Sequence, residues 1–103
     1  MKIRQGDLLP PLIIDCTDDG APIDLTEATS VRVVGVQGVT EVIDDTAPAT
    51  TDQGQVTHTW VAGETETVGR IFVNVEAVFA GKKQTFPPYG SLAVDVTPAE
   101  SGA

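Results

Sequence analysis

The residues best suited to chemistry are few and lie far apart in the sequence. His58 is the only histidine and Cys16 the only cysteine among 103 residues. Metal sites typically need three or four ligands, and scattered carboxylates are all that could join these two. On its predicted strand His58 shares a face with Val56 and Trp60. We therefore expect a structural histidine, hydrogen-bonded near the edge of the core, beside a tryptophan that anchors the core.

Nucleophilic catalysis finds no support in the serines. Ser30, Ser91 and Ser101 lack the flanking glycines of a nucleophile elbow, and the single histidine would have to serve any of them. The sequence has no glycine-rich phosphate loop. It predicts a protein that is not an enzyme, with no catalytic residues and no cofactor.

Paired aspartates offer oxygen ligands of the kind that calcium prefers. Asp18-Asp19 and Asp44-Asp45, with Asp52, would be the candidates. Aspartate is also a common turn residue, because its side chain bonds nearby backbone groups. None of these runs has the ordered spacing of a calcium loop, so we interpret them as turns and predict no metal site.

Charge and hydropathy exclude several classes of partner. The chain has 15 acidic and 6 basic residues and a formal net charge of -9, which opposes binding to nucleic acid. No stretch approaches the roughly 20 apolar residues of a membrane span, and Met1 to Asp15 has no signal-peptide pattern. We expect synthesis in the cytoplasm and no membrane partner.

The elements that must position these residues are strands, since apolar and polar residues alternate along most of the chain. Predicted strands cover Leu12–Cys16, Ser30–Gln37, Glu41–Asp44, Gln55–Val61, Arg70–Ala80 and Ser91–Thr97, with Gly81-Lys82-Lys83 as a turn. We predict an all-β, immunoglobulin-like β-sandwich of about seven strands without a disulfide, a small barrel being the alternative. It forms one domain over residues 1–103, with a flexible arm at 1–9 and a flexible tail at 98–103. The predicted core consists of Ile14, Val33, Val56, Trp60, Ile71, Val73, Val75, Leu92 and Val94.

Short segments along the chain carry a resemblance to a known family. They are Arg4–Pro11, Ala21–Thr26, Gly54–Trp60, Gly69–Phe72 and Gln84–Pro87. In order and spacing they resemble the immunoglobulin-like module at the N-terminus of siphophage baseplate upper proteins, and related small stand-alone proteins of tailed phages. The likeness runs from Ile3 to about Val96.

The resemblance implies a virion protein made in the host cytoplasm. Its expected role is that of an accessory protein of the capsid (decoration) or of the tail or baseplate. Its expected partners are other virion proteins or copies of itself, in an oligomeric arrangement on the particle. The alternative is a module that binds a host-surface glycan or protein, for which Gln53, Gln55 and Tyr89 are the candidate loop residues.

An interface is predicted from the strand alternation. If Val31, Val33, Ile71, Val73 and Val75 face the core, then Val34, Val36, Phe72 and Val78 point outward, apart from any offset that a bulge at Gly35 introduces. Outward apolar residues on neighbouring strands would form a patch that suits protein contacts. The alternative is that the Asp45–Gly54 connection covers them.

Overall fold

Eleven strands account for most of the described chain. The computed structural model describes residues 1–87 and 90–99. In chain order its elements are β1 (Lys2–Arg4), β2 (Leu12–Asp15), β3 (Thr17–Asp18), β4 (Ala21–Pro22), the 3-10 turn η1 (Leu25–Glu27), β5 (Ser30–Gln37), β6 (Thr40–Asp45), β7 (Ala49–Thr50), β8 (Gln55–His58), β9 (Gly69–Phe79), β10 (Lys82–Phe86) and β11 (Leu92–Thr97). The all-β class is confirmed, and the single cysteine forms no disulfide.

Two sheets and a small hairpin make up the architecture. The large sheet has the order β1-β11-β9-β5-β6, with β10 pairing β9 beyond the start of β11. The second sheet has the order β2-β8-β7, and β3 pairs with β4. Hydrogen bonds from Cys16 N to Gly54 O (2.7 Å) and from Ile23 N to Cys16 O (3.1 Å) join the hairpin to the second sheet. No helix in the described ranges is long and apolar enough to cross a membrane.

One core lies between the sheets, built from the inward residues of both. The large sheet gives it Val33 and the alternate residues of β9 from Ile71 to Ala77. The second sheet gives it Leu12, Ile14 and Val56. Burial of these apolar side chains is the main force that holds the two layers together. Eight of the nine predicted core residues are buried in this cluster, and the immunoglobulin-like connectivity stays a prediction.

Leu92 is the exception among the predicted core residues, with 38% of its surface exposed. It pairs with the buried Val73, so it lies on the core face of the sheet, as the alternation of residues predicted. However, it is the first residue of β11, and the next residues on the same face, Val94 and Val96, are buried. Position along a strand, and not only alternation, decides burial.

Two predicted segments differ from the structure. Lys2–Arg4 lies within the expected flexible arm, yet it forms β1, parallel to β11, and buries Ile3. Gly81-Lys82-Lys83 is not the turn: the turn residues are Ala80 and Gly81, whose φ angles of 49° and 80° fit a two-residue hairpin, and Lys82 already begins β10. Of the predicted tail, Pro98 and Ala99 are exposed, and residues 100–103 lie outside the described ranges.

Candidate functional site

The outward face of the large sheet carries the residues predicted as an interface. Val36 and Ala93 lie opposite Phe72 on either side, in β5 and β11, and Val34 is the next outward residue of β5. Phe72 sits between them with 48% of its surface exposed. The structure therefore brings Val34, Val36 and Phe72 together, and we call these three with Ala93 the Phe72 patch.

Val78 lies apart from the Phe72 patch, although it has the predicted outward orientation. It pairs with Ser30, and the row of Arg32 and Glu76 separates it from Val34. Alternation fixes which face a residue takes, but the cross-strand register decides its neighbours. That register could not be read from one strand at a time.

Ion pairs flank the Phe72 patch on both sides along the strands. Arg70 donates to Asp95 (2.8 Å), and Arg32 donates to Asp44 (2.6 Å) and lies 3.7 Å from Glu76. These hydrogen bonds from arginine hold the pKa values of Asp95 and Asp44 below their usual range. An apolar centre with a charged rim is the common anatomy of a protein interface.

The Asp45–Gly54 connection does not cover the Phe72 patch. Its short strand β7 pairs with β8, so the connection leaves the large sheet for the second one. At its start, the carboxylate of Asp45 bonds His58 and the backbone N–H of Ala47. The outward face therefore remains open at Phe72.

A bulge in the β5–β6 pairing lies beside the same patch. The register shifts between Gly35 and Val36, and Val42 of β6 is the extra residue. The sequence allowed for an offset from a bulge at Gly35, but the extra residue belongs to the partner strand. Gly35 itself faces inward, where an added Cβ would lie 2.8 Å from the Cδ1 atom of Ile43.

His58 is a buried histidine between two carboxylates. Its Nδ1 lies 2.8 Å from Asp45 Oδ2, and its Nε2 lies 2.8 Å from Glu64 Oε1. Each ring nitrogen thus faces a carboxylate oxygen within hydrogen-bond distance. The ring also packs edge-on against Trp60, with 5.4 Å between centroids. The expectation of a hydrogen-bonded histidine beside the core is confirmed.

Sequence reasoning did not identify Asp45 and Glu64 as the partners of His58. Asp45 ends β6 in the large sheet, while His58 ends β8 in the second one. Glu64 also accepts from the backbone N–H of Val61 (2.9 Å), a contact local to the turn that follows Trp60. The only sequence feature that could have placed Glu64 near His58 is this local turn, in which the glutamate follows Val61 by three residues.

The other residues considered for chemistry, Cys16 and the paired aspartates, lie in surroundings that fit a structural role. Cys16 is buried, and burial raises the pKa of its thiol to about 11, which disfavours the reactive thiolate. Asp18 and Asp19 belong to the β3–β4 hairpin, where Asp19 has a φ of 51° as expected of a turn. Among residues 1–87 and 90–99, no three His, Cys, Asp or Glu side chains are grouped as a metal site would require.

The loop residues considered for glycan binding are only partly described. Gln53 and Gln55 are exposed at the turn that leads into β8. Tyr89 lies outside the described residues. Comparison of the chain with protein-family models, with curated proteins and with solved structures finds no match.

Proposed function

We propose that this chain is a non-enzymatic structural protein of a phage virion, an accessory protein of the capsid or of the tail or baseplate. It acts through protein contacts made by the outward face of its large sheet. The observation that carries the proposal is Phe72, half exposed at the centre of the Phe72 patch. The resemblance of the sequence to tailed-phage immunoglobulin-like modules supplies the virion context.

A protein surface is the partner that fits this face. Buried apolar area drives most protein association, and a large aromatic residue at the centre of a patch is a frequent hot spot. The flanking ion pairs, Arg70–Asp95 and Arg32–Asp44, provide the polar rim that is typical of a protein interface. A glycan site would instead use aromatic and amide side chains on loops.

The test replaces the centre of the Phe72 patch and leaves the fold intact. The Phe72→Ser, Val34→Ser double variant removes apolar surface on the outward face. Ile13→Ser is the matched control, because Ile13 is a similarly exposed apolar residue on β2 of the other sheet. The readouts are occupancy on assembled particles by electron microscopy and self-association by sedimentation velocity.

We expect the double variant to lose particle incorporation while the control keeps it. Both variants should retain the wild-type circular dichroism spectrum, because the replaced side chains lie outside the core. Loss in sedimentation as well as in particles would identify a copy of this chain as the partner. Wild-type occupancy of the double variant would refute the proposed surface.

A further inference from the structure

A second surface lies at the far end of β9, away from the Phe72 patch. There residues of the β9–β10 hairpin, together with Asp18 and Ile23 from the region of the β3–β4 hairpin, line a cavity of about 490 Å³. Ile23 and Phe79, both half buried, provide its apolar lining, and Lys82, Lys83, Gln84 and Asp18 provide its polar lining. The volume lies within the range of sites that hold small ligands or short peptide segments.

The side chains on the inward face of β10 change from apolar to polar along the strand. Phe86 pairs with Val75 and is buried, as expected for the core face. Gln84 and Lys82 occupy the next two positions on that face, opposite Ala77 and Phe79, yet both are exposed. The core face therefore opens into the cavity, lined by long polar side chains instead of packed apolar ones.

Beside the cavity, β10 has an open edge. Among the described residues it pairs only with β9. The two-residue turn at Ala80 and Gly81 is flanked by Phe79 and Lys82, which form a hydrogen-bonded pair. Non-hydrogen-bonded and hydrogen-bonded pairs alternate along the two strands from there. Lys83 and Thr85 consequently direct their backbone N–H and C=O groups away from β9. An extended peptide can add to such an edge as a further strand.

Charge selects the kind of peptide. Arg32 and Arg70 are engaged by carboxylates of their own sheet. Within residues 1–87 and 90–99, neither Lys82 nor Lys83 has a carboxylate oxygen within the 4.0 Å of an ion pair. Two adjacent lysines favour an acidic strand and repel a second β10, which would bring like charges together. Symmetric pairing of two copies at this edge is therefore disfavoured.

We propose that the open edge of β10 and the cavity beside it bind an extended acidic segment of a partner protein. The backbone of the segment pairs with Lys83 and Thr85. Alternate side chains enter the cavity over Ile23 and Phe79, and its carboxylates meet Lys82 and Lys83. This site is separate from the Phe72 patch, and it does not depend on the proposed function.

A competing explanation is that the two lysines only guard the edge against unwanted pairing, as lysines on edge strands often do. The test uses an extended peptide of alternating valine and glutamate, blocked at both ends, and its counterpart with lysine in place of glutamate. Titration into the isotope-labelled full chain is followed by NMR. We expect the glutamate peptide to shift the amide signals of Lys83 and Thr85, and added salt to weaken its binding.

The Lys82→Glu, Lys83→Glu variant should bind the glutamate peptide at least about tenfold more weakly. Lys2→Glu, Arg4→Glu is the matched control, because it changes the net charge equally on β1 and should leave the affinity near that of the wild type. Three results would each overturn the proposal: no binding of the glutamate peptide, equal binding of the lysine peptide, or equal weakening by the control. The first of these would leave the edge-guard explanation in place.

Discussion

At the scale of single residues, Gly54 lies where two segments of backbone come too close for a side chain. Its φ is +82°, and an added Cβ would collide with the carbonyl oxygen of Cys16 and lie 3.1 Å from the backbone nitrogen of Ile23. Neither backbone atom can move without disturbing the hydrogen bonds Cys16 N to Gly54 O and Ile23 N to Cys16 O. The glycine thus fixes how the β3–β4 hairpin joins the second sheet.

Gly54→Ala should therefore destabilise the fold well beyond the cost of its backbone conformation. Gly20→Ala is the matched control, since Gly20 has the same φ of +82° and open space around it. We expect about 1–2 kcal/mol from the left-handed conformation alone at Gly20, and at least about 2 kcal/mol more at Gly54. Urea unfolding of both variants measures the difference. Equal losses would show that the crowding at Gly54 is relieved without cost.

At the scale of elements, cross-strand ion pairs link neighbouring strands of the large sheet. Arg70 on β9 lies opposite Asp95 on β11, and its hydrogen bond to that carboxylate lowers the pKa of Asp95 from 3.8. A carboxylate with a lowered pKa in the folded state stabilises the fold at pH values above its unfolded pKa. That contribution is lost as the pH falls through the folded pKa.

Asp95→Asn should accordingly reduce the acid sensitivity of the protein below about pH 4. The measurement is the urea midpoint across the acidic range, with the difference between wild type and variant as the readout. We expect this difference to shrink as the pH falls, because protonation removes the same charge in the wild type. The pair is exposed, so the effect is small. A difference independent of pH would contradict an electrostatic origin.

Prediction from the sequence succeeded for elements with clear alternation and failed where polar residues form a strand. β5, β9 and β11 follow from runs such as Arg70–Phe79, in which every second residue is apolar. The strand β10 was not predicted, because Gly81-Lys82-Lys83 resembles a turn, yet every residue from Lys82 to Phe86 pairs with β9. For the Phe72 patch, alternation gave the outward faces, while the separation of Val78 depends on the register between strands.

At the scale of the whole molecule, the His58 cluster joins the two sheets. Asp45 belongs to the large sheet and His58 to the second, and Glu64 lies in the loop after Trp60. The cluster therefore fixes the two layers at one end of the core, in addition to apolar burial. It could not be predicted in full, because its members come from elements that meet only in the folded state.

His58→Ala should destabilise the protein by about 3 kcal/mol or more, because two carboxylates lose their shared partner in a place with little access to water. His58→Phe restores the volume of the ring but removes the histidine partner of both carboxylates, which keep only their backbone hydrogen bonds from Ala47 and Val61, so we expect a similar loss. Thr59→Ala, at the exposed neighbouring position, is the control. Denaturant unfolding compares the three variants. Wild-type stability of His58→Phe would mean that packing, and not the hydrogen bonds, matters at this position.

The parallel pairing of β1 with β11 has a consequence for the time course of folding. Lys2, Ile3 and Arg4 pair with Asp95, Val96 and Thr97. The first described strand therefore cannot pair until the last described strand has been synthesised. During synthesis on the ribosome, residues 2–4 emerge long before any residue they can pair with. Contacts between such distant parts of a chain slow folding, because a long loop must close first. The large sheet is thus completed only after translation has passed Thr97, and until then Ile3 stays exposed on the nascent chain.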